Sequence, residues 1–417
     1  MKQSCLKSAI AAIGAFSLFT LSACSSDNSV TGEEPGGNEP VVTPVPTPVI
    51  ELSTEASRAA AAVQGFNVDF FRNVALSDEY KGKNVACSPV SATMLLSLLS
   101  NAASNEAATE IATVLGYSDT KALNNLYTKL STELPALDSK ATLTFANSVW
   151  YDKQYTLTDA FSTVANDCYK ADVFKRDMTG LTGSVEGEIN SWISDKTKGL
   201  INSIKVDLPL YYTLINATYF KAAWKNAFKA ENTEKATFKG INGNSQVDMM
   251  HREGAYYYAH TASYKAIEMP FGAGAFAATF ILPEGDVEEF LKSNALKELI
   301  SSKLIGENIE LSLPRFKIAE DKEVNLTETL YNMGVKSIMS PADINMFNED
   351  VMSQQIKVFQ KASVEFNEQG AEAAAVTWGG GNASPGYIPL VFDRPFIFLI
   401  TEKSTKTILF AGKIMSL

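Results

Sequence analysis

The sequence predicts an α+β domain, with helices in its first half and strands in its second. Apolar residues in the first half recur at helical spacing, whereas later ones alternate or form short uninterrupted runs. A stretch near the start, residues 24–53, is rich in serine, glycine, proline and acidic residues and lacks the apolar groups that a core needs. Helices followed by strands, rather than interleaved with them, are typical of α+β domains.

The predicted helices rest on composition, spacing and end signals. Residues 59 to 74 have helical composition, and Ser88 followed by Pro89 predicts a helix start with a capping hydroxyl and a proline in the first turn. Gly116 is expected to end a third helix. Two apolar stripes accompany these signals: Val90, Met94, Leu95 and Leu98, and then Ala107, Ile111, Val114 and Leu115.

The predicted strands lie in the second half. An apolar run at residues 275 to 282 is closed by the turn sequence Pro283-Glu284-Gly285. Runs at 395–400 and 407–414, separated by a turn near Lys403, predict a hairpin. One further strand is predicted half-buried, because its apolar residues alternate with mostly polar ones. These residues are Ile356, Val358, Ala362, Val364 and Phe366.

Composition limits the classes of function. The 417 residues are 46% hydrophobic with a net charge of −11, which suits a globular protein and disfavours nucleic-acid binding. With His251 and His260 as its only histidines and no CxxC pair, the chain is not expected to hold a metal or another cofactor. Cys87 and Cys168 could pair, although a buried free thiol is favoured at Cys87.

The start of the chain predicts export. Two lysines precede an apolar run at residues 8–20 that is too short to span a membrane. The following Leu21-Ser22-Ala23-Cys24 resembles a bacterial lipobox, which implies a signal peptide at 1–23 and diacylation of Cys24; an ordinary cleavable signal peptide is the alternative. Residues 24–53 would then be an extended tether to a lipid membrane in the bacterial cell envelope or at the cell surface, with a folded domain at 54–417.

The segment after the alternating strand admits two interpretations. An alanine-rich stretch taken alone favours a helix followed by a loop. Alternatively, it is a strand that has not yet entered a sheet, with Gly370 as a hinge and small uncharged residues on one face. The residues concerned are Glu368, Gly370, Ala371, Glu372, Ala373, Ala374, Ala375 and Thr377, of which Ala371, Ala373, Ala375 and Thr377 share that face.

Six motifs in family order resemble the serpin family, and the resemblance covers almost all of residues 55 to 417. The resemblance implies the serpin fold, in which a helix-rich N-terminal half packs on a large central β-sheet, with further sheets and an exposed reactive-centre loop. The motifs are NVACSPVS at 84–91, NATYFKAAW at 216–224, FILP at 280–283, LSLPRF at 311–316, DRPFIF at 393–398 and FAGKI at 410–414.

The resemblance implies an inhibitor of serine-type endopeptidases rather than an enzyme. The target cleaves the loop, the acyl-enzyme persists, and the cut loop inserts into the central sheet as a new strand. The distorted protease cannot deacylate, because its nucleophile and oxyanion donors are misaligned. A non-inhibitory serpin, acting as a carrier, chaperone or binding protein, is the alternative. A hydrolase is disfavoured, because the chain has no G-x-S-x-G motif.

Family spacing places the scissile bond at Ser384-Pro385. Proline restricts the backbone there, so Ala383-Ser384 is the preferred bond, with Ala383 in the specificity pocket of the protease. A small residue at that position predicts an elastase-like or subtilisin-like target. A cysteine protease also fits, because trapping needs only an acyl-enzyme. The inhibitor is expected to act as a monomer.

Further positions match those that control opening of the central sheet in the family. They are Ser88, Ser91 and Asn216, together with Trp224 in the central-sheet motif. Plain capping and buried hydrogen bonding would be the simpler role of the polar ones. Gln360 stands where the family often has a histidine, ten residues before the hinge glycine. Any pH-dependent gating through that position is therefore not expected here.

Overall fold

The computed structural model describes most of the chain from residue 46 onward. The described residues are 46–178, 184–199, 201, 203–204, 211–319, 324–337, 343–350, 359–360, 363–371 and 386–417. They belong to one compact unit. The predicted signal peptide, Cys24 and most of the predicted tether lie outside the described residues.

The helices cluster in the first half, as predicted. Ser53 begins α1 by accepting a hydrogen bond from the amide of Ala56, and Gly116 ends α3 in a left-handed conformation with φ of +69°. None of the described helices combines the length and apolar composition that crossing a membrane requires. The helices are α1 (Thr54–Leu76), α2 (Pro89–Leu99), α3 (Asn105–Leu115), α4 (Thr120–Glu133), α5 (Asp159–Tyr169), α6 (Ser184–Lys196), α7 (Val287–Lys292), α8 (Ala295–Ser301) and α9 (Leu326–Met333).

The strands form two larger sheets and two short pairs. The larger sheet has the order β1-β17-β16-β8-β7-β6-β9-β15, with β5 also on β6; the other has the order β14-β4-β2-β3, and β10–β13 and β11–β12 pair separately. The strands are β1 (Val85–Cys87), β2 (Ala141–Asp152), β3 (Ala171–Arg176), β4 (Tyr212–Ala223), β5 (Thr233–Gly240), β6 (Gly243–His260), β7 (Tyr264–Pro270), β8 (Phe276–Pro283), β9 (Ile305–Pro314), β10 (Phe316–Ala319), β11 (Val324–Asn325), β12 (Phe359–Gln360), β13 (Ser363–Phe366), β14 (Gly370–Ala371), β15 (Ile388–Val391), β16 (Phe396–Glu402) and β17 (Ile408–Ile414).

The strand predictions are confirmed where the residues are described. The apolar run at 275–282 forms β8, which is buried along its whole length, and the two C-terminal runs form the antiparallel hairpin of β16 and β17. In β13, Val364 and Phe366 are buried while Glu365 is half-buried, as alternation predicts. Ile356, Val358 and Ala362 lie outside the described residues.

The expected capping role of the Ser88 hydroxyl at α2 was wrong. Ser88 occupies the position before the helix, but its hydroxyl caps no backbone amide; Ser91 Oγ lies 2.9 Å from it instead. Every residue of α2 is buried, so the helix has no exposed face. The physical reason is its position, since α1, α4, β4 and β17 all pack around it. Pro89 does occupy the first turn, as predicted.

Cysteines and potential metal ligands contribute no site of their own within the described part of the chain. Cys87 and Cys168 do not pair with each other; both are thiols, and Cys87 is buried. Among the described residues, no three His, Cys, Asp or Glu side chains are grouped so that they would hold a metal ion.

Candidate functional site

The chain turns back sharply at the end of β13. The amide of Asn367 donates to the carbonyl of Gly370 at 3.0 Å, and the amide of Gly370 donates to the carbonyl of Asn367 at 3.2 Å. These two bonds close a tight turn, with Glu368 and Gln369 between them. The next residues, Gly370–Ala371, pair antiparallel with Ala223 and Ala222 at the end of β4. Gly370 and Ala371 of the predicted insertion segment thus already lie along the sheet.

Glycine is the only residue type that fits at position 370 without a shift of the neighbouring atoms. Its φ is +140°, which side-chain-bearing residues rarely adopt. A Cβ atom built there would lie 2.3 Å from the carbonyl oxygen of Ala222 and 2.7 Å from the backbone nitrogen of Trp224. Glycine therefore allows the turn to approach β4 closely enough for pairing.

Trp224 holds the same turn from the end of β4. Its backbone amide donates to the carbonyl of Gln369 at 2.7 Å, and its indole Nε1 donates to the carbonyl of Asn367 at 3.0 Å. Its ring stacks on Phe271 at 4.4 Å and on Phe366 at 5.7 Å between centroids. The tryptophan thereby links β4, β13 and the turn through both backbone and side chain.

Glu368 anchors the tip of the turn to the body of the protein. The residue is 6% exposed, and its carboxylate accepts hydrogen bonds from the Arg315 guanidinium and, at 2.8 Å, from the Thr233 hydroxyl. Its backbone carbonyl accepts from the amide of Phe228 at 2.9 Å. Burial acts to raise the pKa of Glu368, but the hydrogen bonds from Arg315 and Thr233 outweigh burial and hold that pKa below its ordinary value.

Removing Arg315 should destabilise the protein at neutral pH. Arg315→Ala leaves a buried carboxylate without its cation, and we expect the free energy of unfolding to fall by about 2 kcal/mol, less than for a fully buried pair because Arg315 is 44% exposed. The matched control is Lys317→Ala. Because the ion pair between Lys317 and Glu365 is more exposed, its removal should lower the free energy of unfolding by about 0.5 kcal/mol or less.

The loss caused by Arg315→Ala should depend on pH. Because the folded pKa of Glu368 lies below its ordinary value of 4.5, the contribution of the carboxylate to stability is present above that value. The contribution is lost as the pH falls through the folded pKa. Urea unfolding at pH 7 and in steps below pH 4.5 measures this. If the difference in unfolding free energy between wild type and Arg315→Ala stayed constant across that range, Glu368 would not be the partner that Arg315 stabilises.

A second cluster of sequence-predicted residues lies at the start of α2. Gln360 is 1% exposed, and its side-chain amide forms two hydrogen bonds with the backbone of Ser88. Its Oε1 accepts from the Ser88 amide at 2.7 Å, and its Nε2 donates to the Ser88 carbonyl at 2.8 Å. This pairing joins β12 to the residue that precedes α2. Glutamine provides both a donor and an acceptor without titrating.

The cluster continues across the sheet as a buried polar chain. Ser91 Oγ is in hydrogen-bond contact with the hydroxyl of Thr218, which lies 3.3 Å from Asn216 Oδ1. Asn216 Nδ2 donates to Asn147 Oδ1 at 2.5 Å, and Asn147 Nδ2 donates to the carbonyl of Tyr169. Contacts thus run from α2 through β4 to β2 and the end of α5. Buried networks of this kind specify one arrangement of the elements that they join.

The structure therefore brings Ser88, Ser91, Asn216 and Gln360 together in one network, while Trp224 lies at the other site, beside the turn. Sequence reasoning missed Thr218, Asn147 and Arg315. A signal existed for the first two, because Asn147 and Thr218 are polar residues in largely apolar strands. Arg315 lies within the LSLPRF motif, but nothing local indicates its partner, which lies 53 positions away.

Part of the predicted site lies outside the described residues. It includes the proposed reactive bond at Ala383, Ser384 and Pro385. It also includes the remaining predicted insertion residues: Glu372, Ala373, Ala374, Ala375 and Thr377. The described chain resumes at Gly386, and β15 then pairs parallel with β9. Sixteen residues, 372–387, thus separate β14 from β15, and these two strands belong to different sheets.

A family model described as Serpin (serine protease inhibitor) matches residues 61–417. The chain belongs to the serpin family. It is 28% identical to Iris of Ixodes ricinus, with 85% of this chain and 98% of Iris covered. It is 27% identical to leukocyte elastase inhibitor A of Rattus norvegicus, with 82% of this chain and 95% of that protein covered.

Comparison with solved structures confirms the predicted serpin fold. Human thyroxine-binding globulin superposes with a TM-score of 0.78 at 27% identity, covering 87% of this chain and 99% of that one. Serpins similar to this chain thus include one named for elastase inhibition and one named for thyroxine binding. Membership therefore establishes a protease-inhibitor family, and the activity of this particular chain has to be argued from its site.

Proposed function

We propose that this serpin is a single-use inhibitor of serine-type endopeptidases. Residues 372–385 serve as the substrate loop, the protease is retained as an acyl-enzyme, and the cut loop inserts beside β4. The observation that carries this proposal is the pairing of Gly370–Ala371 with Ala223 and Ala222 at the end of β4. Two residues of the inserted strand are already in place, so insertion extends an existing ladder instead of starting one.

The observed register supports insertion of the small residues that follow. Continuing the antiparallel pairing one residue at a time places Ala373 opposite Phe220, Ala375 opposite Thr218 and Thr377 opposite Asn216. These β4 residues are buried, so a strand entering there must present small side chains. Alanine and threonine meet that requirement, whereas large or charged residues on the same face would not.

The polar network around Gln360, Ser88 and Asn216 supplies the kinetic barrier that keeps the loop from inserting before it is cut. β12 lies beside β4, and Gln360 ties β12 to Ser88. A strand entering next to Asn216 and Thr218 has to separate elements that these hydrogen bonds hold together. The intact protein is then kinetically trapped, and cleavage releases the loop end so that the barrier can be crossed.

Target and location are proposed from the sequence. Ala383 is the preferred residue for the specificity pocket of the protease, which favours an elastase-like or subtilisin-like enzyme. Diacylation at Cys24 would tether the inhibitor, as a monomer, to a membrane of the bacterial cell envelope or surface. Metabolic labelling with a fatty-acid analogue, compared between wild type and Cys24→Ala, tests the tether. Equal labelling of both proteins would contradict it.

Denaturing gels after incubation with elastase-like and subtilisin-like proteases test the central proposal. An inhibitor is expected to give a covalent band at the summed mass of the two proteins, whereas a non-inhibitory carrier gives only cleaved chain. Cleavage within the loop is also expected to raise the melting temperature by on the order of 10 °C or more, because a new strand joins the sheet. Cleavage with neither a covalent band nor a higher melting temperature would leave only a binding protein.

A further inference from the structure

A cavity of about 330 Å³ opens beside β6, and its lining includes no residue of the turn at 367–370 (the hinge turn) or of the polar network. β6 pairs with β7 only from Tyr257 to His260, while its preceding residues pair with β9 on the other side. The strand edge facing β7 therefore has no strand neighbour around residues 252–256 within the described structure. The volume lies within the range of small-molecule sites in proteins.

Arg252 is held at this cavity in a defined orientation. Its Nη1 donates to the carbonyl of Asn226 at 2.9 Å, and its Cζ lies 5.2 Å from the centroid of the Tyr256 ring. Gly254 stands between the two residues, and a Cβ atom there would approach Arg252 Nη2 to 3.3 Å. Glycine thus leaves the space that the guanidinium occupies as it lies over the tyrosine.

The guanidinium has no carboxylate partner among the described residues. Glu268 also lines the cavity, but its carboxylate is bound by Lys403 Nζ at 2.7 Å. The charge of Glu268 is therefore compensated, and the charge of Arg252 is not. An oriented arginine with unused N–H groups is well suited to bind a carboxylate through two parallel hydrogen bonds.

Tyr256 adds a second unsatisfied group. The residue is 6% exposed, and its hydroxyl is buried with no hydrogen-bond partner within the described part of the chain. Burial raises the pKa of Tyr256 to about 12, with Arg252 acting in the opposite direction, so the hydroxyl remains a donor at neutral pH. Because solvent does not reach this hydroxyl, a molecule in the cavity contacts the ring of Tyr256 rather than its hydroxyl.

We propose that this cavity binds a small apolar molecule bearing one carboxylate, such as a flat aromatic acid. The carboxylate pairs with the Arg252 guanidinium, and the apolar body packs against Tyr256, Met269 and Pro270. The cavity is too small for a peptide segment with several side chains. The proposal does not depend on protease inhibition, because the cavity shares no residue with the hinge turn.

Isothermal titration calorimetry of the purified protein with 2-naphthoate tests the proposal, with neutral 2-naphthamide as the matched probe. We expect saturable binding of the acid and at least tenfold weaker binding of the amide, since a charge-assisted pair is lost. Arg252→Gln should lower the affinity for the acid about tenfold and leave the affinity for the amide unchanged. Arg58→Gln, an exposed arginine on α1, is the control for a lost positive charge and should bind like wild type.

A filled-cavity variant separates this site from the rest of the surface. Gly306 lines the cavity, and a Cβ atom built there meets no atom within 4 Å, so Gly306→Leu should fold normally and weaken both probes. Circular dichroism and thermal melting check that the variants fold. The proposal would be overturned if wild type bound the acid and the amide equally tightly or showed no saturable binding of the acid. It would also be overturned if Arg252→Gln or Gly306→Leu bound the acid as tightly as wild type.

Discussion

Gly370→Ala should convert the proposed inhibitor into a substrate. The added Cβ atom would lie 2.3 Å from the carbonyl oxygen of Ala222 at a φ of +140°, so the turn has to leave β4 and the first pairs of the inserted strand are lost. Strain of this kind costs on the order of 1–3 kcal/mol before the steric overlap is added. Insertion slowed by about 2–3 kcal/mol is roughly 30- to 150-fold slower, so deacylation overtakes trapping.

The measurement is the ratio of covalent complex to cleaved chain on denaturing gels. We expect that ratio to fall at least about tenfold in Gly370→Ala. Gly285→Ala is the matched control, because its φ is not positive and its added Cβ atom meets no atom within 4 Å. An unchanged ratio in Gly370→Ala would show that the paired turn is not where insertion begins.

Gln360→Met should lower the unfolding free energy of the intact protein by about 2–6 kcal/mol. Methionine has a similar size, but it offers nothing to the amide and carbonyl of Ser88, which Gln360 satisfies together. Each buried backbone group left without a partner costs about 1–3 kcal/mol. Burial of Gln360 to 1% exposure leaves no room for solvent to replace the lost bonds.

Urea unfolding of the uncleaved protein measures this loss. Gln246→Met is the control, since its amide makes one exposed hydrogen bond to Thr237 and its removal should cost less than about 0.5 kcal/mol. If the two glutamine variants lost equal stability, the hydrogen bonds between Gln360 and Ser88 would stabilise the protein no more than one exposed hydrogen bond does. The network would then not be the barrier that holds β12 beside β4.

Local patterns account for what was predicted correctly. The hairpin of β16 and β17 follows from two apolar runs and a turn, and the end of α3 follows from a glycine that adopts a left-handed conformation. Each depends on residues close in sequence. The serpin fold itself followed from motifs spread along the chain rather than from any one pattern.

The errors and omissions share a different origin. Ser88 has the composition of a helix cap, yet its backbone is bound by Gln360, 272 positions later, and its hydroxyl by Ser91. The predicted apolar stripe of α2 is buried, and elements distant in sequence cover the other faces of this helix as well. Periodicity records which residues avoid water, but it does not record which distant elements come to cover them.

The sequence by itself determined the class of fold, the helix-then-strand order, the family and the presence of a small-residue segment after Gly370. Only the tertiary structure decided that Gly370–Ala371 already pair with β4, that Glu368 is held by Arg315, and that Arg252 lies beside a cavity with no carboxylate partner among the described residues. Propensities and caps act within a few residues of chain. Hydrogen bonds and ion pairs across sheets depend on which distant strands become neighbours, and chain topology settles that.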